Sequence, residues 1–298
     1  MNAYGYPPHP LPGLLAFGSS TASALSPHAY AAAGELNGRL PETLPPDMYA
    51  QEWNRIRQAL RHVWGWEDSR DTAIIFGASG SHIHLLASQL LGDEVSGLPT
   101  VVLAEAGETG RFVPDALSGR HFGGEKAGEM ITGRTADVLT VPVWEADGQL
   151  RAADVIDAEF IQRVAEVMTS GRDNVLLVVL DVSKSGLILP DIACVLELKE
   201  RYGERLIVLV DACQYRITRA TLNAYLDADC MVALTGSKFL AGPAFSGMLL
   251  VPDSIASQYR EQPLPVALSS YSSRADWPTT WFGADTLECY SNRGLLLR

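Results

Sequence analysis

The sequence predicts an α/β protein built on a mostly parallel, seven-stranded-type sheet sandwiched by helices. Three observations predict it. Seven short apolar runs rich in β-branched residues recur along the 298 residues. Helix-period segments lie between many of these runs. Finally, 47% of the residues are hydrophobic and 19% charged, which is ample material for a sheet covered on both faces.

Taken in order, the chain enters through Pro7, Pro8, Pro10 and Pro12, and a second group follows at Pro41, Pro45 and Pro46. Both groups read as extended arms ahead of the first helix. Helical spacing then holds from Met48 to Trp64, with Trp53, Ile56, Leu60, Val63 and Trp64 marking one face. The strand runs are residues 73–76, 100–103, 138–143, 175–182, 206–210, 231–234 and 248–251, each stopped by a polar residue or a glycine. A second helical face, Ile161, Val164, Ala165 and Met168, lies between two of them. Residues 261–285 break the alternation with Pro263, Pro265 and Pro278 among many Ser and Thr, and read as an irregular connection leaving the main domain. The ending, Asn292-Arg293-Gly294-Leu295-Leu296-Leu297-Arg298, reads as a helix interrupted mid-course without a cap or stop signal. The expected division is an N-terminal arm over 1–46, a main domain over 47–260 and a connection over 261–298.

Charge and cysteine usage exclude several classes. With 23 Lys and Arg against 35 Asp and Glu, the net charge of −12 repels a phosphate backbone or an anionic membrane, so no nucleic-acid partner and no membrane partner is expected. Cys194, Cys213, Cys230 and Cys289 form no CxxC pair, so neither a zinc site nor redox exchange is expected, and no other metal site stands out. The first residues carry neither a basic region nor an apolar run, and no stretch approaches the ~18 apolar residues of a membrane span. The expectation is a soluble cytoplasmic protein with reduced thiols.

In an open parallel sheet, ligands sit beyond the carboxyl ends of the strands, so the polar residues after each run are the ones to weigh. Gly77-Ala78-Ser79-Gly80-Ser81 joins a strand to a helix, and its small residues let N–H groups and hydroxyls close on an anion. Asp211 directly follows an apolar strand, which partly buries its carboxylate and demands a cationic or donor partner; Gln214 lies three positions on. Thr235-Gly236-Ser237-Lys238 holds a lysine beside the sheet, where desolvation makes an amine nucleophilic. Ser183-Lys184-Ser185-Gly186 is the fourth such place. Singly, each has a plainer reading as a turn, a cap or a solvated charge. Together, an anion cradle, a buried carboxylate and a loop lysine are the three anchors of a pyridoxal phosphate site.

At these residues the chain resembles the fold type I pyridoxal-phosphate enzymes, in the class V aminotransferase and cysteine desulfurase branch. The resemblance is most specific over Val208-Leu209-Val210-Asp211-Ala212-Cys213-Gln214 and Thr235-Gly236-Ser237-Lys238-Phe239-Leu240-Ala241-Gly242-Pro243. It implies that Lys238 is the Schiff-base lysine, Asp211 the partner of the pyridine nitrogen and Gln214 a donor to the phenolic oxygen. It further implies that Ser79, Gly80 and Ser81 hold the phosphate with Thr235 and Ser237, and that Phe17-Gly18-Ser19-Ser20-Thr21 lies on the substrate side; Ser183, from its place at a strand end, is expected in the same cofactor site. The implied reaction is transamination of an amino acid or keto acid by a homodimer. The 269–280 segment then reaches the partner's cofactor phosphate, with Thr279 and Thr280 in contact. A C-terminal small domain, missing or incomplete here, is expected to close over the site.

The departures from the family pattern shape the alternatives. Ser237 stands where the desulfurase branch has a His, and Glu105-Ala106-Gly107-Glu108-Thr109 holds no residue to stack on the ring. Cys289 lies in no recognisable motif, which favours transamination over desulfurase or lyase chemistry. A non-catalytic binding or assembly protein on the same fold is the alternative from another class. A hydrolase triad fails because all six His lie within the first 121 residues. The glycine patterns of dinucleotide and P-loop sites are absent. His82 and His84 read as capping or packing residues rather than metal ligands.

Overall fold

The computed structural model of the chain describes residues 7–14, 24–66, 70–92, 97–171 and 174–298. All seven apolar runs form strands. In chain order these are β1 (Thr72–Gly77), β2 (Thr100–Ala104), β3 (Val138–Val141), β4 (Val175–Asp181), β5 (Ile188–Leu189), β6 (Leu206–Asp211), β7 (Cys230–Thr235) and β8 (Gly247–Pro252). β5 is the addition: two residues that pair antiparallel with the last two of β4, too short to register as a run. The sheet order is β1-β8-β7-β6-β4-β2-β3. β7, β6, β4, β2 and β3 pair parallel, while β8 lies antiparallel between β1 and β7. Every residue of β2, β4 and β7 is buried, on both sides of the pleat. Both faces of the sheet are therefore covered, as the near-continuous apolar runs require.

The helices are α1 (Pro27–Arg39), α2 (Pro46–Trp64), α3 (Gly80–Leu90), α4 (Val113–Leu117), α5 (Ala153–Thr169), α6 (Ile192–Tyr202), α7 (Arg219–Asp227), α8 (Asp253–Tyr259) and α9 (Arg293–Leu296). Among the described residues, none is long and apolar enough to cross a membrane. α1 falls between the two proline groups, where only extended chain is expected from sequence. Ser26 caps it by accepting the Ala29 N–H, and Pro27 opens it. Likewise Pro46 is not part of an arm but the first residue of α2, where a missing N–H costs nothing.

The buried stripe of α2 is Tyr49, Trp53, Arg57 and Trp64, and Val63 is 68% exposed. Apolar spacing misassigns Val63 because it stands about 100° round the helix from Trp64, off the edge of the buried stripe, while the polar Arg57 lies within it. Its Nε donates to Ile74 O and its Nη2 to Asp276 O, and the guanidinium lies 5.0 Å from the centre of the Phe76 ring. Burial lowers the pKa of Arg57 to about 10.

Residues 261–285 are irregular, as expected, but they fold back instead of leading away. Three 3₁₀ turns, Val266–Ser270, Arg274–Asp276 and Phe282–Thr286, bury Leu268, Trp277 and Trp281. Gly283 is required there, since a Cβ would stand 1.9 Å from the Gln262 carbonyl oxygen. Asp276 lies at the centre, accepting from the Tyr49 hydroxyl at 2.6 Å and the Ser273 N–H at 2.8 Å. The last helix, α9, is a single turn with a cap: the Asn292 side chain accepts the Leu295 N–H.

Candidate functional site

The parallel strands end on one side of the sheet, and their carboxyl ends enclose a cleft of about 600 Å³. All nine residues singled out from sequence line it: Ser79, Gly80, Ser81, Ser183, Asp211, Gln214, Thr235, Ser237 and Lys238. The substrate-side segment of residues 17–21 lies outside the described residues. Thr280 lines a different, small cavity beside Arg57 and Arg61.

The cradle forms where β1 gives way to α3. Ser79 is the N-cap, its hydroxyl accepting the His82 N–H at 3.2 Å and its carbonyl the Ile83 N–H at 2.9 Å. The N–H groups of Gly80 and Ser81 precede the first intrahelical bond and form the positive end of the helix, which suits an anion. The helix sits close. A Cβ at Gly80 would come within 3.1 Å of Cys213 Sγ, so glycine lets α3 seat against the turn after β6.

That turn presents Asp211. Its Oδ1 accepts the Cys213 N–H at 3.1 Å, and Oδ2 lies 3.4 Å from Nε2 of His84. Burial alone would raise the carboxyl's pKa, but His84 and the Lys238 ammonium outweigh it and hold the group well below the usual carboxylate range. The anionic form of Asp211 is thus favoured in the cleft, where its charge is compensated. The strand after it supplies the rest. Thr235 donates its hydroxyl to Cys213 O at 2.6 Å, pinning the end of β7 to the turn after β6, and the half-buried Lys238 follows three residues on.

The opposite wall was illegible in sequence. Glu108, buried, accepts from Trp144 Nε1 at 2.7 Å and from the hydroxyls of Ser183 and Ser185. Burial pushes its carboxyl up, but these donors more than offset that and lower it. The Ser183 proton is therefore committed to Glu108, and its oxygen also accepts the Leu187 N–H at 3.1 Å. Thr109, Phe112 and Phe122 extend this wall. Phe122 is backed by Tyr271 from the folded-back segment, at 5.2 Å between ring centres, and Tyr271 also meets His121 Nδ1 at 2.9 Å. Residues so far apart in sequence leave no local signal of a shared wall. His82 is a packing residue as expected: its Nδ1 accepts the Ala78 N–H at 2.8 Å, and burial lowers its pKa to about 4. Among the described residues no cluster could hold a metal ion.

Solved structures share this architecture. The alanine–glyoxylate aminotransferase of Nostoc sp. matches at a TM-score of 0.53 and 16% identity, over 96% of this chain and 67% of that one. The glutamate decarboxylase domain of a diaminobutyrate–pyruvate transaminase and L-2,4-diaminobutyrate decarboxylase from Vibrio parahaemolyticus matches at 0.57 and 15%, over 80% and 52%. Oryza sativa TDC, solved with PLP and tryptamine, matches at 0.54 and 15%, over 93% and 56%. This chain has the fold of the fold type I pyridoxal-phosphate enzymes. It spans about half to two thirds of the length of the solved structures it matches. No protein-family model matches the sequence, and no curated protein matches it.

Proposed function

We propose that this chain carries the cofactor site of a pyridoxal-phosphate-dependent enzyme acting on amino acids, in the class V aminotransferase manner. The observation that carries the reading is the convergence of Lys238, Asp211 and the 79–81 cradle on one cleft from the ends of β7, β6 and β1. The residues fit the group. A compensated, mostly buried carboxylate suits a protonated ring nitrogen, helix N-terminal N–H groups and hydroxyls suit a phosphate dianion, and a lysine lining the same cleft suits an aldehyde carbon. When bound, the cofactor supplies an electron sink for negative charge at the substrate's α-carbon.

Each residue then has a defined task. Asp211 keeps a proton on the ring nitrogen through charge pairing, the cradle orients the phosphate, and the Lys238 amine tethers the cofactor and moves a proton at the α-carbon. Gln214 is the donor at the phenolic oxygen, while Glu108 fixes the wall that bears Ser183. The proposal extends to residues 47–260 as the cofactor-binding domain, to a homodimer and to a cytoplasmic location. Its test is borohydride reduction after incubation with pyridoxal phosphate, followed by peptide mass mapping. A pyridoxyl adduct on Lys238 is expected; an unmodified Lys238 peptide rejects the reading. Incubation of the loaded protein with amino acids and 2-keto acids, followed by product analysis, then separates transamination from loss of carbon dioxide or sulfur.

A further inference from the structure

The cradle and Asp211 belong to different elements, and one ring lies between them. His84 is four residues after Gly80 on α3, and its side chain is fully buried. Nδ1 stands 2.7 Å from the Gly80 carbonyl oxygen. A carbonyl has no hydrogen to give, so Nδ1 carries the hydrogen and donates it. Nε2 is buried without a hydrogen-bond partner among the described residues, and stands at an ion-pair distance of 3.4 Å from Asp211 Oδ2. A lone pair facing an ionised carboxylate at that range is repulsive in a low-dielectric interior, whereas an N–H there is attractive. With Asp211 ionised, the ring therefore carries hydrogen on both nitrogens.

We infer that His84 is the positioning residue of Asp211: a buried imidazolium that holds Oδ2 while the Cys213 N–H holds Oδ1, locking the carboxylate to the helix that forms the anion cradle. The inference rests on the proposed function only for what Asp211 does next, because the contact itself needs no ligand. Asp211 and His84 form one buried pair, 3.4 Å apart. The other titratable groups facing that unit are Lys238 beyond β7 and Cys213 beyond β6. His82, on the same helix, turns to the Ala78 N–H and Tyr271 instead. A shared helix explains how occupancy of the cradle and the orientation of Asp211 are held in one rigid body.

The first measurement is 15N NMR of the ring-labelled full chain at pH 7 without cofactor. Both nitrogens of His84 are expected to be protonated, with a return to a single-hydrogen tautomer in Asp211→Asn. A neutral His84 ring in the wild type overturns the inference, whatever the cofactor does. The second is titration with pyridoxal phosphate. His84→Leu, which cannot donate, should weaken binding about tenfold or more, and His84→Gln, whose amide can still reach Oδ2, should stay within about threefold. In the Asp211→Asn background the Leu effect should shrink to within about twofold, and an equal loss in both backgrounds overturns the positioning role. A wild type that shows the doubly protonated ring yet binds no cofactor rejects the proposed function and leaves the His84–Asp211 unit standing.

Discussion

Asp211 at the end of β6 and Asp276 at the end of the Arg274–Asp276 turn are both taken out of water, and burial by itself pushes both carboxyls up. They end on opposite sides of the ordinary value. Asp211 faces a histidine ring and an ammonium group, and it is lowered. Asp276 faces a tyrosine hydroxyl and a backbone N–H, while the nearby Arg57 spends its donors on the carbonyls of Ile74 and Asp276, and burial raises it from 3.8 to about 6. The difference teaches how to tell a carboxylate held charged in a cleft from one held in a core. A cleft that keeps a charge must supply compensating charge, whereas a core needs only a hydrogen-bonded acceptor.

The pH dependence of stability should differ in sign. A lowered carboxyl contributes stability above its unfolded value and loses it as pH falls. A raised carboxyl is most favourable at low pH and loses its contribution as pH rises through the window from 3.8 to about 6.

On the proposed function, the largest expected effect is on turnover. Asp211→Asn should lower it by about a hundredfold or more with the fold retained, checked by steady-state kinetics and circular dichroism. Full activity would move Asp211 into the structural class. Next is Asp276→Asn, read by denaturant unfolding at several pH values. The stability of the wild type relative to this variant should fall by about 2 kcal/mol between pH 3.8 and about 6. Cofactor affinity should stay within about twofold; a difference that rises with pH instead would break the comparison.

Glu108 sharpens it, because its donors are two hydroxyls and an indole N–H, all neutral, and yet it is lowered. Glu108→Gln should cost about 1–2 kcal/mol near neutral pH, with the cost shrinking toward acid, as measured by the same unfolding series. A loss independent of pH would show that packing of the wall, not charge, is what Glu108 provides. The smallest effect is expected at Val63, outside both regions: Val63→Ser should change stability by no more than about 0.5 kcal/mol in thermal unfolding. A large loss there would restore the helical face read from apolar spacing.

By itself the sequence determined the seven long strands, the cradle at residues 79–81 and the residues at the ends of β6 and β7 that meet in the cleft. These follow from short-range rules. A buried parallel strand needs an unbroken apolar run, and a strand end in such a sheet is where polar residues can reach a ligand. Tertiary structure alone decided the rest. That Arg57 faces inward depended on which carbonyls stood opposite. The wall of Glu108, Trp144, Ser183 and Ser185 joins three loops far apart in the chain, and Tyr271 backs the cleft only because the 261–285 segment folds back. His84 looked like a packing residue because a histidine's partner comes from wherever the fold places a carboxylate, and no local pattern encodes that contact. Pattern reading sees each residue's hydrophobicity and neighbours along the chain; a buried polar group is settled by the partner that packing brings to it.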